Sequence, residues 1–188
     1  MQTAQSSVGR TVRSSSTRQL IALALFLAIA GCSNSDDSCF VAGTPIATPN
    51  GDVAIETVRA GDMVLAYDFA TSAVVSAKVV RTFRHEAQPY LRMQVGGTTL
   101  GVTKGHPIYD ADGKQFVSAG SLHAGSKLVS LNADGSVLQD GAVAAISKSA
   151  DEARVYNIEV EGHHNYFAAG VLVHNKSPAD LPGDATGS

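Results

Sequence analysis

Two stretches of this chain repeat one another, and the repeat limits the possible folds more sharply than any motif within it. The run Ala60-Gly61-Asp62-Met63-Val64-Leu65-Ala66 is answered by Ala124-Gly125-Ser126-Lys127-Leu128-Val129-Ser130, with an offset of 64 from Gly61 to Gly125. Each run continues through an alternating segment with a hairpin-like interruption. Further on, Pro89-Tyr90-Leu91-Arg92-Met93-Gln94-Val95 is answered by Val155-Tyr156-Asn157-Ile158-Glu159-Val160, and the offset from Tyr90 to Tyr156 is 66. Self-similarity at a near-constant offset reports architecture, here a duplicated unit with pseudo-two-fold symmetry. Tyr90, Arg92 and Gln94 alternate with Leu91, Met93 and Val95, a period of two that puts the apolar side chains on one face of a strand. The core is then expected between the halves.

Composition fixes the class. Val, Thr and Tyr recur in short runs broken by Gly, Asp or Asn, and Gly is abundant at 18 residues. Such runs favour strands, so the body is expected to be all-β. Asn50-Gly51 and Asp112-Gly113 read as tight β-turns that supply positive φ, with Asp134-Gly135 a third candidate. The 14 Lys and Arg against 17 Asp and Glu give a net charge of -3 with no basic stripe, which argues against nucleic acid as a partner.

The two ends read differently from the body. Arg10, Arg13 and Arg18 precede an uncharged stretch, Leu20 to Ala30, too short for a stable membrane span and suited to a secretory signal. Ile29-Ala30-Gly31-Cys32 resembles a bacterial lipobox, which implies a diacylglycerol on Cys32 and an envelope lipoprotein. Ser33 follows the cysteine and no Asp stands there, so by analogy the destination is the outer membrane. The expected organisation is a signal at 1–31, a lipidated tether at 32–38, a body at 39–175, and a C-terminal tail at 176–188. The tail carries Pro178, Pro182, Gly183 and Gly187 among small polar residues and is expected to be disordered. The body of about 137 residues can bury roughly two-thirds of its unfolded surface.

The body opens with Ser38-Cys39-Phe40-Val41-Ala42-Gly43-Thr44-Pro45-Ile46 and closes with Tyr166-Phe167-Ala168-Ala169-Gly170-Val171-Leu172-Val173-His174-Asn175. Between them stands Thr103-Lys104-Gly105-His106-Pro107. In this order and spacing the chain resembles the Hint family, the hedgehog and intein type, over the whole of Cys39 to Asn175. The closest resemblance is to bacterial intein-like domains. It implies a horseshoe of two related β subdomains and a single-turnover, self-cutting chemistry. Cys39 would attack the carbonyl of Ser38, turning an amide into a thioester. That exchange is uphill, so the fold must strain the peptide and protonate the leaving amine. By the resemblance His106 supplies that proton and Thr103 hydrogen-bonds near the same peptide. The thioester is then open to water, a thiol or an amine. Asn175 would close on its own carbonyl and release the chain at Lys176, with His174 polarising that carbonyl and His164 moving the proton.

Two residues depart from the intein pattern. Lys176 stands where a splicing domain has Cys, Ser or Thr, so ligation of the flanks is not expected. Asn157 stands where many inteins carry an Asp, and an Asn cannot hold the charge. Both departures point to uncoupled cleavage. No cofactor and no metal site are expected, because His163 and His164, as neighbours on a strand, would face opposite sides. Two alternatives stand beside this reading. In one, a catalytically inert domain of the same fold serves as a binding or structural lipoprotein. In the other, Cys32 pairs with Cys39 in a disulfide in the oxidising periplasm.

Overall fold

The computed structural model describes residues 38–132 and 134–175. The expected signal, the lipidated Cys32 with most of the tether, Lys176 and the tail lie outside the described residues. Within them the chain is built of strands, joined by turns and two single 3₁₀ turns at Ile55–Thr57 and Ala119–Ser121, with no α-helix. The all-β expectation holds.

The strands in chain order are β1 (Phe40–Val41), β2 (Pro45–Ile46), β3 (Val53–Ala54), β4 (Met63–Asp68), β5 (Ala73–Val95), β6 (Thr98–Val102), β7 (Pro107–Asp110), β8 (Gln115–Ser118), β9 (Lys127–Leu131), β10 (Val137–Val160), β11 (Asn165–Ala168) and β12 (Val171–His174). Every pairing is antiparallel, and one continuous path runs β3-β2-β11-β12-β7-β9-β10-β1-β6-β5-β4, with β8 attached to β7. The long strands β5 and β10 also pair with each other, from Val79 opposite Val160 to Val95 opposite Val143.

The repeat seen in the sequence is structural, and it extends beyond the strands. Gly61 and Gly125 both take positive φ, 99° and 93°, a conformation open to glycine at no steric cost. Each donates its N–H across to the following long strand, to Val79 O and Val143 O, both at 2.8 Å. Val79 and Val143 return the bond to Asp62 O and Ser126 O. The 3₁₀ turns precede these loops at the same interval, since 55 and 119 also differ by 64. Under that shift Val79 becomes Val143 and Val95 becomes Glu159, so the terminal pairs of the β5–β10 ladder exchange to within one residue. The pseudo-two-fold axis therefore passes between these two strands.

The apolar alternation of β5 is realised: Leu91, Met93 and Val95 are buried while Arg92 and Gln94 are exposed. They join a core drawn from both halves, with Phe40, Ile46, Val64, Val79, Leu100, Ile108, Leu128, Ile158 and Tyr166 among its members. A smaller cluster holds Ala47, Tyr67, Val129, Phe167 and Leu172. One turn differs from expectation. Gly113 does not carry the positive φ of the β7–β8 hairpin; Lys114 does, at 52°. The loop spans four residues, and Asp110 Oδ2 accepts the Gly113 N–H at 2.9 Å. That bond fixes an early turn and moves the left-handed step to the end of the loop, as in longer hairpins. Gly51 and Gly135 carry positive φ as expected.

Strand β1 joins the two halves at the entrance of the body. It is two residues long and lies between β6 and β10, with Phe40 opposite both Val102 and Tyr156. The peptide just before it is thereby held between the two halves.

Candidate functional site

The spacing of Thr103 and His106 is that of a single turn. The His106 N–H donates to Thr103 O at 3.1 Å, so the two side chains leave the end of β6 together. Thr103 is buried and pairs with both backbone groups of Cys39 at the entrance to β1. Its Oγ1 accepts the Cys39 N–H at 2.8 Å, and its own N–H donates to Cys39 O at 2.9 Å. The hydroxyl also lies 3.2 Å from Cys39 O. The first of these bonds, at normal length, holds the Ser38-Cys39 peptide by its N–H, and the second holds the next peptide, Cys39-Phe40, by its carbonyl.

The other side of that peptide is held from β10. Asn157, fully buried, donates from Nδ2 to the Ser38 carbonyl oxygen. Its Oδ1 accepts the Ile158 N–H at 2.7 Å and the Tyr166 hydroxyl at 2.8 Å. The Cys39 thiol itself is buried. Tyr166 is buried beside it. Burial first, and then the nearby Cys39, push the Tyr166 phenol well above its usual range, so it stays a hydroxyl donor.

His106 is sealed in, with its ring 4.0 Å from that of Phe40 between centroids. Neither ring nitrogen makes a hydrogen bond among the described residues. Burial lowers its pKa from 6.5 to about 3; the backbones of Ser38 and His174 pull upward, and the His174 charge pushes down again. The imidazole is therefore neutral near pH 7. It stands between the backbone of the entering junction and that of the leaving one.

The leaving junction is built by the β11–β12 hairpin, whose turn residues Ala169 and Gly170 both take positive φ as a tight type I′ turn requires. The hairpin sets Asn165 opposite His174. Asn165 is buried and clamps the hairpin to β4: its Oδ1 accepts the Tyr67 N–H at 2.7 Å and its Nδ2 donates to Tyr67 O at 2.9 Å. Beyond it, Asn175 is buried, with its N–H on His164 O at 3.0 Å and Nδ2 on Val160 O at 3.1 Å. His174 Nδ1 lies 2.7 Å from Asn175 O. A carbonyl oxygen only accepts, so the proton sits on Nδ1 and the ring donates to the carbonyl.

Ser38, Cys39, Thr103, His106, His174 and Asn175 thus gather around one region. His164 sits at its edge: its ring is exposed and stacks on that of His174, 6.4 Å between centroids. His163 and His164 lie in the turn between β10 and β11, not on a strand, and His164 takes φ 52°. The expectation that they occupy a strand is corrected by that turn. Tyr166 and Asn165 are site residues that sequence reasoning does not single out, and Asn157, noted there only as a departure from Asp, gains a bond to Ser38 O that the sequence does not show. Their partners lie 9, 98 and 119 positions away, beyond the reach of a spacing argument.

A family model of the pretoxin Hint domain matches residues 45–176, most of the chain. The chain belongs to the Hint family. Among solved structures, the bacterial intein-like domain from Clostridium thermocellum is similar at 38% identity with a TM-score of 0.64, covering 73% of this chain and 99% of that one. The DnaX mini-intein from Spirulina platensis is similar at 26% identity and TM-score 0.64, covering 73% of this chain and 100% of that one. The Ssp DnaB mini-intein variant M86 shares the fold at 19% identity and TM-score 0.65, covering 74% and 94%. Comparison with curated protein sequences gives no match. Cys39 lies outside the stretch matched by the Hint family model, so its place in the site rests on the bonds that hold the Ser38-Cys39 peptide.

Proposed function

We propose that this Hint domain cuts its own backbone on either side of residues 39–175, by cleavage and not by splicing. In the first reaction the Cys39 sulfur bonds to the Ser38 carbonyl carbon, the carbon–nitrogen bond breaks, and the thiol proton ends on the Cys39 nitrogen. An amide becomes a thioester with no change of oxidation state. Neutral His106 is suited to take the thiol proton and return it to the departing amine, because an uncharged imidazole has one acceptor and one donor nitrogen. Thr103 keeps the peptide aligned for attack, which converts chain connectivity into effective concentration. Water, a thiol or an amine then takes the acyl group. In the second reaction Asn175 Nδ2 attacks its own carbonyl carbon, the bond to Lys176 breaks, and a succinimide forms. His174 draws electron density from that carbonyl, and His164, exposed at the edge of the site, carries the proton lost by Asn175 Nδ2 to the departing Lys176 nitrogen by way of solvent. Lys176 offers no hydroxyl or thiol to receive an acyl chain, which favours cleavage over joining.

The observation that carries this reading is the hold of Thr103 on the Cys39 amide with His106 sealed beside the same peptide. The remaining parts rest on the sequence. Residues 1–31 are a signal, Cys32 bears the lipid, and the protein is exported to the cell envelope at the outer membrane. Thioester cleavage then frees the domain from its anchor, leaving the lipid on the short piece 32–38.

Intact mass of the purified full chain, incubated with and without dithiothreitol, tests this beside Cys39→Ala and Asn175→Ala. Wild type should lose mass at both junctions, Cys39→Ala only after Asn175, and Asn175→Ala only before Cys39. Identical, uncut species in all three would favour the inert binding module. Radiolabelled palmitate that remains on a Cys32→Ser protein would remove the lipoprotein part.

A further inference from the structure

Asn157 and Tyr166 play no part in the proposed cleavage scheme, yet they hold one of the reacting atoms. The Ile158 backbone nitrogen can only donate, so the side-chain atom 2.7 Å from it must be Oδ1. That settles the orientation of the Asn157 amide without reference to electron counts: Nδ2 faces the Ser38 oxygen. The Tyr166 hydroxyl adds a second donor to the same Oδ1, at 2.8 Å. Two donors on the amide oxygen draw electron density from the nitrogen toward the oxygen and strengthen Nδ2 as a donor, the cooperative effect of a chained network in a dry interior. Asn157 and Tyr166 are both fully buried, so the pair is shielded from solvent.

We infer, on the footing of the proposed thioester chemistry, that Asn157 is a catalytic residue that stabilises the oxyanion at Ser38, and that Tyr166 is its positioning residue. When the Cys39 sulfur adds to the Ser38 carbon, the carbonyl pair moves onto the oxygen, where Nδ2 already donates. When the intermediate collapses, the pair returns and the bond to the Cys39 nitrogen breaks. A donor set in place before charge develops needs no reorganisation, and losing one such donor costs about 100- to 1000-fold in rate. Asn is then the working residue here and not a weakened Asp. An ionised carboxylate at 157 would set its charge against the growing oxyanion.

The test uses the full chain and two readouts. The first is the rate of dithiothreitol-induced cleavage before Cys39, by intact mass, alongside the rate after Asn175. Asn157→Ala should slow the first about 100-fold or more and Tyr166→Phe about 10-fold, a smaller loss because the Ile158 donor remains, with the second rate within about twofold of wild type in both. The second readout needs no cleavage. Ser38-Cys39 is the only Ser–Cys peptide bond in the sequence, so labelling serine with ¹³C at the carbonyl and cysteine with ¹⁵N isolates this one peptide by NMR. In an Asn175→Ala background without added thiol, Asn157→Ala and Tyr166→Phe should both move the Ser38 carbonyl resonance upfield, as it loses or weakens its donor. An unmoved resonance in both variants overturns the inference whatever the rates. So does a moved resonance with an unchanged first rate in a wild type that cleaves, or equal slowing at both junctions, which would mark a purely structural role. A wild type that never cleaves would defeat the proposed function, and the carbonyl resonance would still decide whether the pair polarises the peptide.

Discussion

The neutral state of buried His106 has a consequence for stability that is measurable apart from any cleavage. In the unfolded chain this histidine takes a proton near pH 6.5, whereas in the folded domain burial holds its pKa to about 3. A group whose pKa is depressed on folding contributes stability above its unfolded pKa and loses it as pH falls toward the folded one. Each pH unit below 6.5 then costs about 1.4 kcal/mol, or about 3 kcal/mol between pH 7 and pH 4. That is a large share of the roughly 5–15 kcal/mol by which domains are stable. Urea unfolding at pH 7, 6, 5 and 4 reads it out, on a Cys39→Ala/Asn175→Ala background to keep the chain whole. With a slope of about 2 kcal/mol per molar urea, the midpoint should fall by about 1.5 M from this residue alone. Other histidines and carboxylates titrate in the same window, so the comparison is with His106→Gln in the same background. Those contributions cancel in the difference, and the Gln variant should be less sensitive to acid by the same 3 kcal/mol even if less stable at pH 7. Parallel curves for the two proteins would refute a buried, uncharged His106 and, with it, the proton role assigned to the ring.

Three other substitutions act through a few named contacts each. Thr103→Val keeps the shape but leaves the Cys39 N–H without its 2.8 Å acceptor; it should cost about 1–3 kcal/mol in urea unfolding and slow cleavage before Cys39 about 10-fold or more, with cleavage after Asn175 unchanged. Asn165→Ala removes both bonds to Tyr67 and the one to His163 O; calorimetry should show about 3–4 kcal/mol lost, a fall of about 10 °C in Tm at this size, and slower cleavage after Asn175. Asn157→Asp should cut slowly before Cys39 at pH 8 relative to wild type, and the gap should close as pH falls and the new carboxyl gains a proton it can donate to Ser38 O.

How much of this fold and site is legible in the sequence depends on the distance over which each signal acts. The duplication is readable because it is written in local sequence: Gly61 and Gly125 stand 64 apart, and each must open its loop with a positive φ. The same interval recurs in the 3₁₀ turns and in the return bonds from Val79 and Val143. Burial of Leu91, Met93 and Val95 agrees with their alternation. The T-x-x-H motif is readable as well, because four residues make a turn and the turn delivers both side chains to one place. The Asp112-Gly113 hairpin misleads in detail because the side chain of Asp110, outside that pair, decides where the left-handed residue falls.

Position 157 shows where such reading stops. Charge alone makes Asn157 look like a loss, since an amide cannot do what a carboxylate does. The structure gives it a different partner: a carbonyl oxygen, to which an amide can donate and an ionised carboxylate cannot. A side-chain amide can also turn end for end, which would present its oxygen to Ser38 O and reverse the interaction. Two donors, from Ile158 and Tyr166, prevent that turn. Ile158 donates through its backbone and leaves no trace in residue identity, but the hydroxyl of Tyr166 does, nine positions on. The chemical meaning of Asn157 is therefore carried by the Asn–Tyr pair: replacing Asn157 by Asp exchanges a donor for a charge, while replacing Tyr166 by Phe keeps the donor and loosens its hold.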